Sequence, residues 1–181
     1  HYADIHFDLL GVVAERVSGQ SLEQLYEERI TGPLGLRQTA LAQVQDRYAP
    51  IHINGDVLDV PVALASFGAS GGLVSDLDDL MVFLRAFMEG ELFDRAHLTR
   101  GTWNPIQFEF HEYRNAMMRF QLTGVWALLG ADEFIGHSGS SGSFAYYCPD
   151  KDLYMVGTLN QVTDPSLAYR LLARLAGSVE P

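Results

Sequence analysis

Near residue 103 the spacing of apolar residues changes, and that change limits what the chain can build. Before it, apolar side chains recur every three or four residues between helix start and stop signals. After it they come in short β-rich runs separated by Gly, Asp and Pro. The expected class is α+β: a mainly helical lobe over residues 1–105, then an antiparallel sheet with a packed C-terminal helix over 106–181.

In the first half, Phe7, Leu10, Gly11, Ala14 and Val17 share one helical face, with Asp4 at the N-cap and Gly19 as the stop. Ser21-Leu22-Glu23-Gln24 reads as a capping box that opens a second helix, closed by Gly32-Pro33. Residues 40–66 show weak periodicity and read as an irregular excursion. A third helix is capped at Ser75, with Asp76, Asp78 and Asp79 against the positive end of its dipole and an apolar stripe from Leu77 to Met88. Capping accounts for those carboxylates better than a metal site does, since no histidine stands at ligand spacing.

In the second half the expected strands are Leu122–Leu129, Phe134–Ser138, Ser143–Cys148 and Leu153–Leu159, with a turn at Pro149-Asp150-Lys151-Asp152. Asp164-Pro165 opens a last helix whose apolar face is Leu167, Leu171, Leu172 and Leu175.

Composition excludes several classes of function. The chain has 181 residues, is 48% hydrophobic and 19% charged, and can bury a real core. Its net charge of −11 argues against a nucleic-acid partner, which would need clustered Lys and Arg. No apolar run is long enough to span a membrane. The single cysteine, Cys148, allows no internal disulfide, and its apolar, aromatic surroundings read as core. The histidines lack metal-ligand spacing, so neither metal nor cofactor is expected.

Two segments carry candidate chemistry. Gly136-His137-Ser138-Gly139-Ser140 puts a titratable ring and a residue without Cβ at the end of a strand. The backbone can be approached closely there, and the next amide is free to face a developing oxyanion. Taken alone, this segment reads first as a Gly/Ser-rich hairpin loop with an exposed histidine. Tyr2-Ala3-Asp4 offers a phenol and a carboxylate before a helix, but taken alone N-capping explains Asp4. A triad built on Ser138, Ser140 or Ser141 is disfavoured, since no strand-turn-helix elbow surrounds them.

The order of the motifs resembles the serine β-lactamase and penicillin-binding-protein superfamily, in its class C, D-Ala-D-Ala carboxypeptidase and esterase branch. The matching stretches are Tyr2-Ala3-Asp4, Gly32-Pro33-Leu34-Gly35-Leu36 with Thr39, Gly68-Ala69-Ser70-Gly71-Gly72-Leu73-Val74-Ser75, Gly136-His137-Ser138-Gly139 with Gly142 and Phe144, and Gly157-Thr158-Leu159-Asn160. The resemblance implies a β-lactamase/transpeptidase-like fold and a small acyl substrate, either an ester, an amide or a β-lactam, attacked by a serine to give an acyl-enzyme. It also implies Tyr2 as proton relay, His137 in the place of the third-motif Lys or His, and the Ser140 amide as half of the oxyanion hole. Asp4, Ser138 and Gly139 would contact substrate. By analogy the location is outside the cytoplasm.

Two departures qualify that reading. No S-x-x-K occurs, and the only lysine is Lys151. The chain is therefore expected to be a C-terminal piece, inactive alone, whose partner is either the missing N-terminal segment or a second copy at the open sheet edge. The alternative is a noncatalytic binding or structural module. Asp4 also stands where relatives have Asn. An ionised carboxylate accepts but does not donate and repels anions, which favours a neutral ester or an amine-bearing amide over a β-lactam carboxylate.

Overall fold

The computed structural model describes residues 2–106, 110–123, 127–128 and 132–179. Helix α1 (Ile5–Ser18) stops at Gly19, whose φ of 72° is the left-handed conformation that closes a helix without a Cβ penalty. Ser21 opens α2 (Leu22–Tyr26) with the expected reciprocal capping box. Gly32-Pro33 does not close this helix. The chain passes through a π-turn (Glu27–Thr31) into α3 (Gly32–Leu34) and stops at Gly35, φ 68°. Gly32 is what makes this possible, because a Cβ there would stand 2.6 Å from the Glu27 carbonyl oxygen that its own N–H bonds.

The stretch read as irregular has structure of its own. Strand β1 (Ala40–Leu41) is followed by a hairpin of β2 (Ile51–Ile53) and β3 (Asp56–Leu58), then α4 (Pro61–Ser66). The hairpin turns on Asn54-Gly55, with φ of 51° and 95°, the pairing that suits a tight antiparallel turn. After a 3-10 turn at Gly68–Ser70, β4 (Leu73–Val74) pairs with β1. Helix α5 (Leu77–Glu89) is capped one residue later than expected: Asp76 accepts the Asp79 N–H at 2.8 Å, while Ser75 bonds the Thr39 hydroxyl. The short α6 (Ala96–Thr99) leads to the sheet.

Among the described residues six antiparallel strands form that sheet: β5 (Asn104–Pro105), β6 (His111–Arg114), β7 (Met117–Gln121), β8 (Glu133–Ser138), β9 (Ser143–Cys148) and β10 (Leu153–Thr158), in the spatial order β10-β9-β8-β7-β6-β5. Of the strand expected over Leu122–Leu129, Leu122 and Thr123 lie outside any strand, while residues 124–126 and 129 lie outside the described residues. Extended pairing ends at Gln121, Ala127 and Leu128 lie in a 3-10 turn, and Trp126 lies outside the described residues. The β6–β7 hairpin closes on Asn115-Ala116, both at positive φ, with the Asn115 amide donating to the His97 and Arg100 carbonyls.

Period-two alternation gives the sheet two buried faces. On one, Phe120, Phe134, Phe144, Tyr146 and Cys148 pack against α7 (Ser166–Gly177). On the other, Met117, Ile135, Ala145, Tyr147 and Val156 meet Leu84 and Met88 of α5. Helix α7 buries Ala168, Leu172, Ala173 and Ala176, a face rotated from the expected leucine row, and Leu167 and Leu175 stay exposed. Three small residues let the helix approach the aromatic layer closely. No described helix is long and apolar enough to cross a membrane.

Candidate active site

Strand β8 delivers His137 to the end of the sheet, and the local sequence explains how. A Cβ at Gly136 would overlap the Ala145 carbonyl oxygen, so β8 and β9 approach here only because this residue is glycine. Immediately after β8, Gly139-Ser140-Ser141-Gly142 makes a four-residue turn. Gly139 N–H donates to Ser143 O at 2.8 Å, and Gly142 N–H, at φ 82°, donates to Gly139 O at 3.0 Å. The turn is fastened to the segment after β10 by Leu159 N–H to Gly142 O at 3.1 Å and Gln161 N–H to Ser141 O at 2.9 Å. That segment is held in turn by β2, through His52 N–H to Asn160 O at 2.8 Å and Val162 N–H to His52 O at 3.0 Å. The bond closing a four-residue turn does not use the amide of its second residue, so the Ser140 N–H is left for another acceptor, and its side chain is exposed.

The His137 Nδ1 lies 2.9 Å from Ser138 O. A carbonyl only accepts, so Nδ1 carries the proton and Nε2 keeps its lone pair. Burial lowers the His137 pKa, with the Ser138 bond and the Asp4 charge opposing. The ring is therefore neutral near pH 7, and Nε2 can take up a proton.

Tyr2 arrives from the other end of the chain. Its ring centroid is 6.0 Å from that of His137 and 4.7 Å from that of Tyr113 on β6. The approach of α1 is fixed by the Ser70 N–H, which donates to Asp8 at 3.1 Å, and by Gly11, where a Cβ would stand 2.8 Å from Ala69 Cβ. Asp4 occupies the N-cap position without capping by its side chain. Its Oδ1 accepts the Tyr2 hydroxyl at 2.6 Å instead. Burial first, then this hydrogen bond and the Asp4 charge, push the Tyr2 pKa up and keep it a phenol.

The structure thus gathers Tyr2, Asp4 and His137 around one point. Gly139 and Ser140 follow directly from β8. Ser138 does not join them through its side chain, since its hydroxyl shares a 2.7 Å hydrogen bond with Tyr169 of α7 on the opposite sheet face. Strand alternation requires this: if His137 faces one way, its neighbour faces the other. Tyr113 was not legible as part of the cluster. The signal was an aromatic residue two before an Asn turn, and it is plain only once β6–β7 is read as a hairpin.

One other group of possible ligand atoms occurs among the described residues: Asp132, Cys148 and Asp150, within 4.8 Å of one another at the far end of β9. Asp150 already accepts the Glu133 N–H at 3.0 Å, and burial raises the thiol pKa, so the cluster reads as turn-capping around a protonated cysteine.

Against this geometry the comparisons are specific. The family model described as Beta-lactamase matches residues 1–177. The chain belongs to the Beta-lactamase family. It is 29% identical over 97 residues to the D-alanyl-D-alanine-carboxypeptidase/endopeptidase AmpH of Escherichia coli (strain K12), covering 53% of this chain and 25% of that protein. With a Salmonella typhi relative it shares 24% identity over 199 residues, 91% of this chain and 46% of the other. Among solved structures, a D-stereospecific amidohydrolase from Streptomyces sp. superposes with a TM-score of 0.76 at 25% identity, covering 99% of this chain and 55% of that one. The octameric penicillin-binding protein homologue from Pyrococcus abyssi shares the fold, with a TM-score of 0.72 at 23% identity over 97% of this chain and 42% of its own. The chain spans between a quarter and a little over half of these β-lactamase-fold relatives.

Proposed function

We propose that this chain supplies the proton-handling and oxyanion half of a serine hydrolase that works through an acyl-serine intermediate, its nucleophilic serine and lysine lying on a segment outside these 181 residues. The observation that carries this reading is the meeting of the Tyr2 and His137 rings, 6.0 Å apart, beside a turn whose Ser140 amide is open. Each part has a distinct task. The serine Oγ forms a bond to the substrate carbonyl carbon and loses its proton, which His137 Nε2 is able to accept. The negative charge gathers on the carbonyl oxygen, where the Ser140 N–H donates. The Tyr2 phenol gives a proton to the departing amine or alcohol as the carbon–leaving-group bond breaks. Water then attacks the acyl carbon, its proton passes to the serine Oγ as the carbon–Oγ bond breaks, the proton held on His137 returns to Tyr2, and the acid leaves.

Asp4 points to the substrate class. A carboxylate beside the relay accepts hydrogen bonds and repels anions, so neutral esters and amine-bearing amides suit this site better than substrates with a carboxylate at that place. The apolar surface of α1 supports a covering segment. Leu10 is 62% and Val17 83% exposed, although they share the face expected to be buried. Among the described residues strand β10 is an open edge as well, with β9 as its one neighbouring strand. Either the segment proposed to carry the serine and lysine or a second copy of the chain would cover these surfaces.

Covalent labelling tests the reading. A fluorophosphonate should mark the full-length gene product on a serine outside this chain and leave the chain alone unmarked. The full-length protein should hydrolyse short p-nitrophenyl esters faster than nitrocefin. An unmarked full-length protein would sink the acyl-serine assignment.

A further inference from the structure

The turn that carries the Ser140 N–H is tied to the core by a side chain outside it. Gln161, in the segment after β10, has two separate engagements. Its backbone N–H donates to Ser141 O at 2.9 Å, inside the turn. Its side-chain amide closes on Asp164: Nε2 donates to Asp164 O at 2.8 Å, and Oε1 accepts the Asp164 N–H at 2.8 Å. A peptide N–H only donates and a carbonyl only accepts, so the orientation of the amide is fixed. Asp164 is itself held at the start of α7, where its Oδ1 accepts the Ser166 N–H at 3.0 Å and the Ser166 hydroxyl at 2.6 Å, and its Oδ2 accepts from Arg170. Helix α7 in turn buries Leu172, Ala173 and Ala176 completely against the aromatic layer. The turn can approach Gln161 because Gly142 has no side chain; a Cβ there would stand 3.0 Å from Gln161 O.

We infer that Gln161 is a positioning residue for the candidate oxyanion donor, its side chain clamping the segment after β10 to the start of α7 so that the turn presents the Ser140 N–H in one direction. The inference rests on the acyl-serine reading and adds to it a residue that acts through the turn and touches neither substrate nor the reacting atoms. A donor has its full effect on developing charge only when it is aimed beforehand. The backbone links fix the turn relative to the segment after β10, and the Gln161 amide ties both to a helix seated in the core. The chemistry of the clamp suits glutamine: Asp164 offers one donor and one acceptor, and a side-chain amide meets each with its complement. An ionised glutamate has no proton to donate, and methionine, of similar length, has neither group.

Two measurements on the full-length protein separate this role from a general packing role. With p-nitrophenyl acetate, Gln161→Met should lower kcat/KM about tenfold and Ser140→Pro about a hundredfold. The double variant should stay within about twofold of Ser140→Pro, because no amide is left to aim. Loosening of the fold at large would multiply the two losses, so a double variant about tenfold below Ser140→Pro would overturn the inference. The second measurement compares the acetate with p-nitrophenyl thionoacetate, in which sulfur, a weak acceptor, takes the developing charge. Gln161→Met should cost less than about twofold there, and equal losses on the two esters would overturn the inference as well. Should Gln161→Met lose its near-ultraviolet dichroism, Gln161→Glu, which keeps the acceptor for the Asp164 N–H, takes its place in both comparisons. An active wild type unchanged by the substitution would overturn the inference alone. A wild type that hydrolyses neither ester would remove the acyl-serine reading and this inference with it.

Discussion

His137 and the Gly139–Gly142 turn sit where β8, β9, β10 and the segment after β10 are tied together by backbone hydrogen bonds, whereas Tyr2 enters on a helix whose apolar side chains mostly face solvent. The first region is held by groups that every residue carries, with glycines where strands crowd. The second depends on a few side-chain links, chiefly Asp8 to Ser70 and Glu15 to Leu22 N–H at 2.7 Å. The candidate site therefore has one half with a built-in shape and another whose placement leans on a few side-chain links.

The strongest way to break the built-in half is at Gly136. A methyl group there overlaps the Ala145 carbonyl oxygen, and neither backbone can yield without parting β8 from β9. Gly136→Ala should cost about 3 kcal/mol or prevent folding, seen as a lowered urea midpoint or lost near-ultraviolet dichroism. A variant as stable as the wild type would show that the two strands have room to move.

The leaning half is tested on the surface of α1. In the isolated chain Leu10→Ser and Val17→Ser should each change stability by less than about 0.5 kcal/mol, since both side chains are already largely in water. In the full-length protein each should cost about 1–2 kcal/mol if a covering segment packs there. Equal and small effects in both would mean that the surface stays bare.

The same contrast governs what could be read from sequence. The β8–β9–β10 meander was legible because its turns carry Gly-Ser-Ser-Gly and Pro-Asp-Lys-Asp and its strands alternate. The β6–β7 hairpin was not, because its turn uses Ala116 at φ 64°, which an L-residue seldom adopts, and its flank His111-Glu112-Tyr113-Arg114 mixes polar and aromatic residues. Asn54-Gly55 is a good turn signal, but strands of three residues gave it no periodic flanks. On α7 the bulky leucines suggested a buried row, yet close approach to the aromatic layer selects alanine. The meeting of Tyr2 with His137 came from the order of motifs and not from local pattern. Tyr113 stayed hidden because only tertiary packing relates it to either.

A smaller effect concerns pH. Burial lowers the His137 pKa below its ordinary 6.5, so the unfolded chain binds the proton more readily than the folded one. The stability gained by keeping the ring neutral is complete above pH 6.5 and is lost as pH falls through the folded-state pKa. His137→Gln should remove this part of the dependence, so urea midpoints at about pH 7.5 and about pH 5 should differ less in the variant than in the wild type. A difference that survives the substitution would locate the titration in other groups.

The smallest expected effect is the most pointed. Ser140 follows the histidine strand and resembles a nucleophile by its position alone, yet its side chain is exposed, and the role assigned to the residue belongs to its N–H. Alanine keeps that N–H and the φ/ψ the turn requires, so Ser140→Ala should leave any esterase kcat/KM of the full-length protein within about twofold and its Tm within about 1 °C. Proline at the same position removes the donor while its fixed φ still suits the second residue of such a turn. Loss of activity in Ser140→Pro at unchanged Tm, beside an active Ser140→Ala, would separate a backbone oxyanion donor from a reactive hydroxyl. An inactive, folded Ser140→Ala would instead move the chemistry onto the side chain and reverse the assignment of parts between the two halves of the site.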